Sequence, residues 1–493
     1  MTGFVNVLHA EWTKFRTIPG LVAGLLLLPV LTIGFTAFTS SGANCAATAA
    51  SPNGKPATSA CSSTTGPGGE LVMDQFYFVH QGLTDGGSIT ARVTSLTGTD
   101  LPAWAKAGIM IKASTTPGSA YAAMLVTSAH GVRFQWNYTQ DTAGLPGNVS
   151  TASPRWLRLV RDGDTVTGYD SPDGTHWTKV GTATLTGLPA TAQAGLFAAS
   201  PFTGGPAPTG SGATGAFGQV SLTGAIAGRW TGTSIGSGPA GPAGFNFGMF
   251  QRTGSGFTVN GNGDIAPDLG YANGGLATPI SQALQSIFIG AIIAIIIGTV
   301  FITAEYRRGL IRVTLAATPA RGRVLAAKAI VLAAVTFVAA LIACAIALPL
   351  GSHLLRAQGV AMNPISAPTE LRIVIGTAAV LAATAVIAVA LGTVFRRGAA
   401  TVATAIVLVV VPWFLAIAGP TLPGAVADWL ARIFPAAAFA VQQTFREYPQ
   451  VTAAYTPGNG FFPLPPLAGF AVLCAWTVGA LWLAMHLLGR RDV

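Results

Sequence analysis

The segment Glu305-Tyr306-Arg307-Arg308-Gly309-Leu310-Ile311-Arg312-Val313-Thr314 puts three arginines and one carboxylate on ten consecutive residues, and Pro319, Arg321, Arg323 and Lys328 follow. A short cationic stretch of this kind either presents charge to a partner or holds a chain end at a membrane leaflet. Elsewhere, Trp104, Trp136, Trp156 and Trp177 could stack on sugar rings, although the ordinary fate of tryptophan is packing in a core or hairpin. Asp162-Gly163-Asp164 and Asp170 with Asp173-Gly174 offer paired carboxylates, as in glycoside hydrolysis. Asp-Gly is equally the dipeptide of tight turns, and the structural role is the stronger reading. Cys45 and Cys61 could close a short loop as a disulfide in an oxidising compartment, whereas Cys344 and Cys474 lie in apolar runs and read as buried residues. No cysteine pair has metal-ligand spacing, and the six histidines are scattered. No phosphate-binding G-x-x-x-x-G-K-[ST] loop occurs: Gly54-Lys55 lacks the upstream glycine and runs into Pro56. The chain therefore has no ordinary means of binding ATP by itself.

The elements that must carry these residues follow from composition. The 493 residues are 51% hydrophobic and only 9% charged, with 61 glycines and 31 prolines. A soluble domain is usually about 25% charged. That deficit excludes an ordinary cytosolic enzyme and a charged disordered chain, and leaves an integral membrane protein. The net charge is +10, which by itself suggests nucleic acid. Residues 41–279, however, hold 11 basic and 11 acidic side chains, so the whole excess sits elsewhere. It is concentrated at Lys14, Arg16, Arg307, Arg308, Arg312, Arg321, Arg323, Lys328, Arg396, Arg397, Arg490 and Arg491, which flank apolar runs. This is the positive-inside pattern, and with no basic face on a soluble domain, nucleic acid drops out as a partner.

A helix needs about 20 apolar residues to cross the hydrocarbon core. Six uncharged runs qualify, at roughly 18–38, 283–302, 329–350, 373–395, 399–419 and 467–488. With both termini cytoplasmic, the arginine-rich links fall on the inner side and residues 41–279 fall outside. The first run is longer than a cleaved signal's apolar core of about 7–15 residues, so it reads as a retained span. Ahead of it, Val5, Leu8, Trp12 and Phe15 recur at helical spacing, with Glu11 and Lys14 off that face. This predicts an amphipathic helix in the membrane interface. The expected organisation is 1–40 as interfacial helix and first span, 41–69 as an extracellular stalk, 70–278 as a domain, and 279–493 as the remaining five spans with a cytoplasmic loop at 304–328. Short segments 426–434 and 436–445 read as outer half-helices turning near Pro435.

From about Glu70 the pattern becomes short alternating strands, such as 88–93, 121–126, 132–136 and 156–161, separated by turn residues. Many short strands at regular spacing predict an antiparallel sandwich. The predicted fold class is thus an α-helical polytopic membrane protein of six helices, with a large extracellular all-β sandwich between helices one and two.

The motifs Ala107-Gly108-Ile109-Met110-Ile111, Trp156-Leu157-Arg158-Leu159-Val160-Arg161-Asp162-Gly163, Tyr169-Asp170-Ser171-Pro172-Asp173-Gly174-Thr175-His176-Trp177 and Ala194-Gly195-Leu196-Phe197 resemble the concanavalin-like jelly roll seen at the C-terminus of bacterial beta-xylosidases. Glu305-Tyr306-Arg307-Arg308-Gly309 with Arg312, Thr314, Pro319, Arg321 and Lys328, together with His9-Ala10-Glu11-Trp12-Thr13-Lys14-Phe15-Arg16, resembles type-2 ATP-binding-cassette (ABC) exporter permeases. That resemblance implies a plasma-membrane permease subunit paired with a separate ATPase subunit. It implies a coupling helix at the cytoplasmic loop beside an interfacial helix carrying Glu11, Trp12, Lys14 and Arg16. It further implies a homodimer or a pair with a similar permease, and ATP and magnesium held by the partner rather than by this chain. The large insertion is not general in that family, so its role is not implied. A cell-wall glycan is a conceivable ligand for it, and a membrane-anchored glycan-binding receptor is the alternative reading of the whole chain.

Overall fold

The computed structural model describes residues 2–42, 64–201, 212–236, 248–254, 256–270, 278–284, 286–317, 320–417, 424–451, 453 and 455–490. Helix α1 (Thr2–Thr17) stops because Ile18 precedes a proline, which disfavours helical backbone at that position. Ile18 is accordingly extended (φ −93°, ψ 104°), and Pro19 opens α2 (Pro19–Ser41) at a position where its missing N–H costs nothing. A single residue thus turns the chain from α1 into the first span.

The buried face of α1 differs from the face that hydrophobic spacing selects. Val5 is 63% exposed and Trp12 40% exposed, whereas Phe15 and Glu11 are each 1% exposed. The helix rolls so that Glu11 and Phe15 meet α3 (Ile287–Arg307) and α5 (Arg321–Ala357), because Glu11 finds a buried cation there. Trp12 is left at the margin, stacked on Phe15 with ring centroids 6.5 Å apart.

Among the described residues, six helices are long and apolar enough to cross a membrane: Pro19–Ser41, Gln282–Arg307, Arg321–Ala357, Ala367–Phe395, Gly398–Leu415 and Pro466–Arg490. Between the second and third lies the short α4 (Leu310–Ala317). The fourth span is α6 (Ala367–Phe395), the most enclosed of the six. The fifth is α7 (Gly398–Ala405), a π-helical turn at Ile406–Val410, and α8 (Val411–Ile417). Then come α9 (Gly424–Ile433), a 3-10 segment Pro435–Gln442 buried along its whole length, and α10 (Pro466–Arg490). The half-helices expected near Pro435 are thus α9 and a 3-10 turn packed against α10 and α6. Small residues set the close approaches, as membrane helices lacking a hydrophobic drive require. A Cβ at Gly298 would collide with the carbonyl oxygen of Ala385, so α3 and α6 touch backbone to backbone.

The insertion between the first two spans is an antiparallel β-sandwich of nearly barrel-like closure. Its strands are β1 (Thr64–Thr65), β2 (Leu71–Asp74), β3 (Phe76–Thr97), β4 (Lys106–Lys112), β5 (Tyr121–Thr127), β6 (Val132–Trp136), β7 (Gln140–Ala143), β8 (Arg155–Asp162), β9 (Thr165–Ser171), β10 (Thr178–Thr184), β11 (Thr191–Ala199), β12 (Ala213–Ile235), β13 (Gly248–Thr253), β14 (Gly256–Gly261) and β15 (Ile265–Pro267). Strand β3 serves both layers. Its first half pairs with β11, its second half with β8, and the corner falls at Asp85-Gly86-Gly87, where Gly87 takes φ 153°. One layer runs β3, β11, β4, β5, β6, β7, and the other runs β10, β9, β8, β3, β12. Ile89, Ile109, Met124, Phe134, Leu157 and Leu196 fill the space between them.

The outer face of the first layer is apolar too, with Phe76, Phe78, Met110, Tyr121, Leu125 and Phe197. A three-stranded sheet, β1-β2-β15, covers it. These strands enter from the first span and leave toward the second. Two buried ion pairs clip them down. Lys112 Nζ lies 2.8 Å from Asp74 Oδ2, and Lys106 Nζ lies 2.7 Å from Asp264 Oδ1. The Lys112 ammonium is held below its ordinary pKa chiefly by burial, against the opposing charge of Asp74. Tyr138 and the Gly118 N–H also donate to Asp74 Oδ2, each at 2.8 Å.

The covering sheet joins the sandwich to the helices. Leu71 N–H donates to Asn363 Oδ1 (3.1 Å), and Asn363 Nδ2 donates to the Asp268 carbonyl (3.0 Å). Ala266 and Leu269 pack on Val451, and Gln450 Nε2 donates to the Thr139 carbonyl (3.1 Å). Asn363 lies between the end of α5 and the start of α6, so the sandwich sits at the end of the bundle opposite α4. Removing one member of a buried ion pair strands the other and costs about 3–5 kcal/mol. Asp74→Ala should therefore speed hydrogen exchange of the β2 amides in the purified full chain, while Asp100→Ala, an exposed loop change, should leave them as they are.

Candidate functional site

At the α4 end of the bundle, four ionisable side chains from three places in the sequence meet. Lys328, two turns into α5, donates to Glu11 Oε2 at 2.5 Å and to Glu305 Oε1 at 2.7 Å. Lys14, one turn beyond Glu11, donates to Glu11 Oε1 at 2.8 Å, Glu305 Oε1 at 3.1 Å and Thr314 Oγ1 at 3.2 Å. Two lysines balance two glutamates. The side chains of Lys328 and Glu11 are 1% and 2% exposed and that of Glu305 9%, while Lys14 closes the cluster from the solvent side at 34%. Phe301 lies 4.5 Å from the Lys328 ammonium, with Phe15 edge-on to it at 5.6 Å. Burial alone would depress the Lys14 ammonium, but hydrogen bonds and charge from Glu11 and Glu305 outweigh it and hold its pKa above the ordinary lysine value. That contribution is complete below the ordinary value and is lost only as pH rises through the raised one.

Local backbone chemistry puts α4 at this cluster. Helix α3 ends at Arg307, and Gly309 then adopts φ 65°, a left-handed conformation that costs other residues about 1–2 kcal/mol. The Gly309 N–H donates to the Tyr306 carbonyl, and α4 starts at once. Within α4, Ile311 is buried and Thr314 reaches Lys14, while Leu310, Arg312 and Val313 point outward. With Arg307 and Arg308 they form an exposed surface that is apolar at its centre and cationic around it.

The remaining residues singled out from sequence divide clearly. Tyr306 lies beneath the Arg396 guanidinium, 5.5 Å from its ring centre. Arg321 Nη1 donates to the Leu488 carbonyl at 2.6 Å, tying α5 to the last turn of α10. Arg16 is exposed. Pro319, Cys45 and Cys61 lie outside the described residues. Lys328 was grouped with the loop at 304–328, but helix begins at Arg321, so it belongs to α5. Spacing gave no sign of Phe301 as the aromatic wall, since it lies in a uniformly apolar run.

In the sandwich, Trp104 is 5% exposed and stacked on His130 at 4.0 Å, and Trp136 packs on the interior beside Phe134. Neither is placed to stack on a sugar. Trp156 and Trp177 lie on the outer face of the second layer. The aspartates act structurally. Asp173 accepts from the Thr175 and His176 backbone N–H groups (2.8 Å each) and from His176 Nδ1 (2.7 Å), and these hydrogen bonds hold its carboxyl far below the usual range. Asp164 accepts from the Gly187 N–H at 3.0 Å. One catalytic spelling does occur, Gly232-Thr233-Ser234-Ile235-Gly236, but Ser234 lies inside β12 opposite Tyr77, not on the strand-to-helix turn a nucleophile elbow needs.

The model of the ABC-2 family transporter proteins matches residues 6–493. The chain belongs to that family and is a membrane permease component of an ABC transporter. None of the curated proteins matches the chain. Among solved structures, a functionally unknown protein from Saccharomyces cerevisiae is 19% identical over 30% of this chain and 75% of that one, at a TM-score of 0.23. A GH43 protein from Bacillus licheniformis is 18% identical over 26% of each chain (TM-score 0.20), and an alginate lyase from Klebsiella pneumoniae is 12% identical over 29% of this chain and 61% of that one (TM-score 0.19).

Lys328→Ala leaves two buried carboxylates to share Lys14 alone and should destabilise the helical part by about 3–5 kcal/mol, whereas Arg308→Ala should stay within about 0.5 kcal/mol. Unfolding of the micelle-bound chain by added denaturing detergent reads the difference. Equal losses would show that the cluster holds nothing together.

Proposed function

We propose that this chain is the membrane half of an ATP-driven exporter, and that the exposed surface of Arg307, Arg308, Leu310, Arg312 and Val313 docks on a separate ATPase subunit. The observation that carries the reading is the buried cluster directly behind that surface. A push on α4 reaches Lys14 through Thr314, and Lys14 shares its carboxylates with Lys328. Because stranding any of these charges is costly, α1, the end of α3 and the start of α5 move together. Docking energy is thereby converted into a rigid-body shift of spans rather than a local dent.

In this reading the arginine-bearing ends and both termini are cytoplasmic, and the sandwich is extracellular on the plasma membrane. Two copies, or this chain and a similar permease, line the path. ATP and magnesium reside in the ATPase, and their turnover shifts the pair between inward- and outward-open populations. The central turns of the six spans carry no Asp, Glu, Lys, Arg or His, which suits an apolar or amphipathic cargo better than an ion-coupled one.

The test is co-purification with a candidate ABC ATPase subunit from the same genome. Arg307→Ala, Arg308→Ala and Arg312→Ala together should abolish association and ATPase stimulation, while the chain still folds. Retained association with all three changed would sink the docking assignment. Single cysteines at Arg308 and Thr182, probed in intact cells with an impermeant thiol reagent, should label only at 182.

A further inference from the structure

The second layer of the sandwich presents an outer face with a composition unlike the rest of the domain. Alternation along β8 sends Leu157 and Leu159 inward and Trp156 and Arg158 outward. Register then sets Tyr169 beside Arg158, Lys179 beside Tyr169, and Thr90 and Arg92 of β3 beside Arg158 and Trp156. Side chains directly opposite one another on a sheet stand on one face. Lys179, Tyr169, Arg158 and Thr90 therefore form a row crossing four strands, about 15 Å long at about 4.8 Å per strand. Trp177 joins the row, with the Arg158 guanidinium over its ring at 4.1 Å. Trp156 is braced from behind by the Gly174 turn, where a Cβ would come within 2.6 Å of its ring.

Two features need a ligand to make sense of them. Arg92, Arg158 and Lys179 make no ion pair among the described residues, and Arg158 has only Thr90 Oγ1, at 3.2 Å, as a hydrogen-bond acceptor. The nearest turn carboxylate, Asp173, is consumed by His176 and two backbone N–H groups. Three cations without a carboxylate partner, interleaved with three aromatic rings and rimmed by the hydroxyls of Ser88, Thr90, Thr167 and Thr182, match a chain of sugar rings that present apolar C–H faces and carry negative charge. We propose that this face binds an anionic linear polysaccharide, its rings lying against Trp156, Tyr169 and Trp177 and its carboxylates or phosphates against Arg92, Arg158 and Lys179.

A lipid surface is disfavoured by placement. The contacts that fix the sandwich on the helices, through Asn363, Val451 and Gln450, all belong to the covering sheet and the first layer. The cationic face is on the other layer, turned away from that seat. That the ligand is met outside the cell rests on the orientation proposed above. Binding by the purified full chain does not, so the two can fail separately.

The full chain in nanodiscs of zwitterionic lipid is titrated with polygalacturonate, with a phosphodiester-linked polymer of pyranose sugars, with neutral dextran of similar length, and with phosphatidylglycerol vesicles. Binding of one of the two anionic polymers, weakening with salt and absent for dextran, is expected. Arg158→Ala and Trp177→Ala should each weaken it about tenfold or more, and Arg158→Lys, which keeps charge but not the planar stack, should weaken it by an intermediate factor. Unchanged exchange protection of the β8 amides shows that each variant is folded. Equal binding of dextran, binding of vesicles through the same residues, or no binding of either anionic polymer overturns the proposal.

Discussion

An ammonium taken out of water must find a carboxylate, and the architecture is organised around that requirement. Lys328 is enclosed on a span that otherwise carries nothing polar at that depth. Its partners are Glu11, more than three hundred residues earlier, and Glu305, at the end of another span. Losing either leaves the buried lysine with half of its carboxylate partners. Helix α1 is consequently a fixed part of the bundle, rolled so that an acidic residue faces inward and Trp12 faces out.

The same constraint operates at the other end. Lys106 and Lys112 project from one face of β4 into an apolar layer, and Asp264 and Asp74 reach them from the strands that connect the sandwich to the spans. Charge pairing converts two connecting segments into a lid bonded across the domain. Asn363 and Val451 then seat that lid on the helix ends opposite α4. The molecule is clipped at both ends by buried pairs, with a bundle between them held by small-residue contacts such as Gly298 against Ala385.

This arrangement separates what is rigid from what is offered to others. The charges used internally are buried and balanced. Arg307, Arg308 and Arg312 at one end and Arg92, Arg158 and Lys179 at the other stand on surfaces with no carboxylate partner among the described residues. Each of these sets is backed by rigid structure: the charge cluster beneath α4, and the tightly packed interior beneath β8.

The sequence alone determined the six spans, the sandwich between the first two, and the cationic segment at α4. Each depends on local composition or short-range period: about 20 apolar residues for a span, alternation for a strand, and the asymmetric placement of arginine. Glu11, Lys14, Glu305, Thr314 and Lys328 could be named from their motifs, yet nothing in their spacing says that they touch. Only the tertiary structure decided that, because a pairing across hundreds of residues is fixed by how helices pack and not by any period. It likewise decided that Trp104 and Trp136 serve packing while Trp156 and Trp177 face outward, since which side of a strand is core depends on what lies against it.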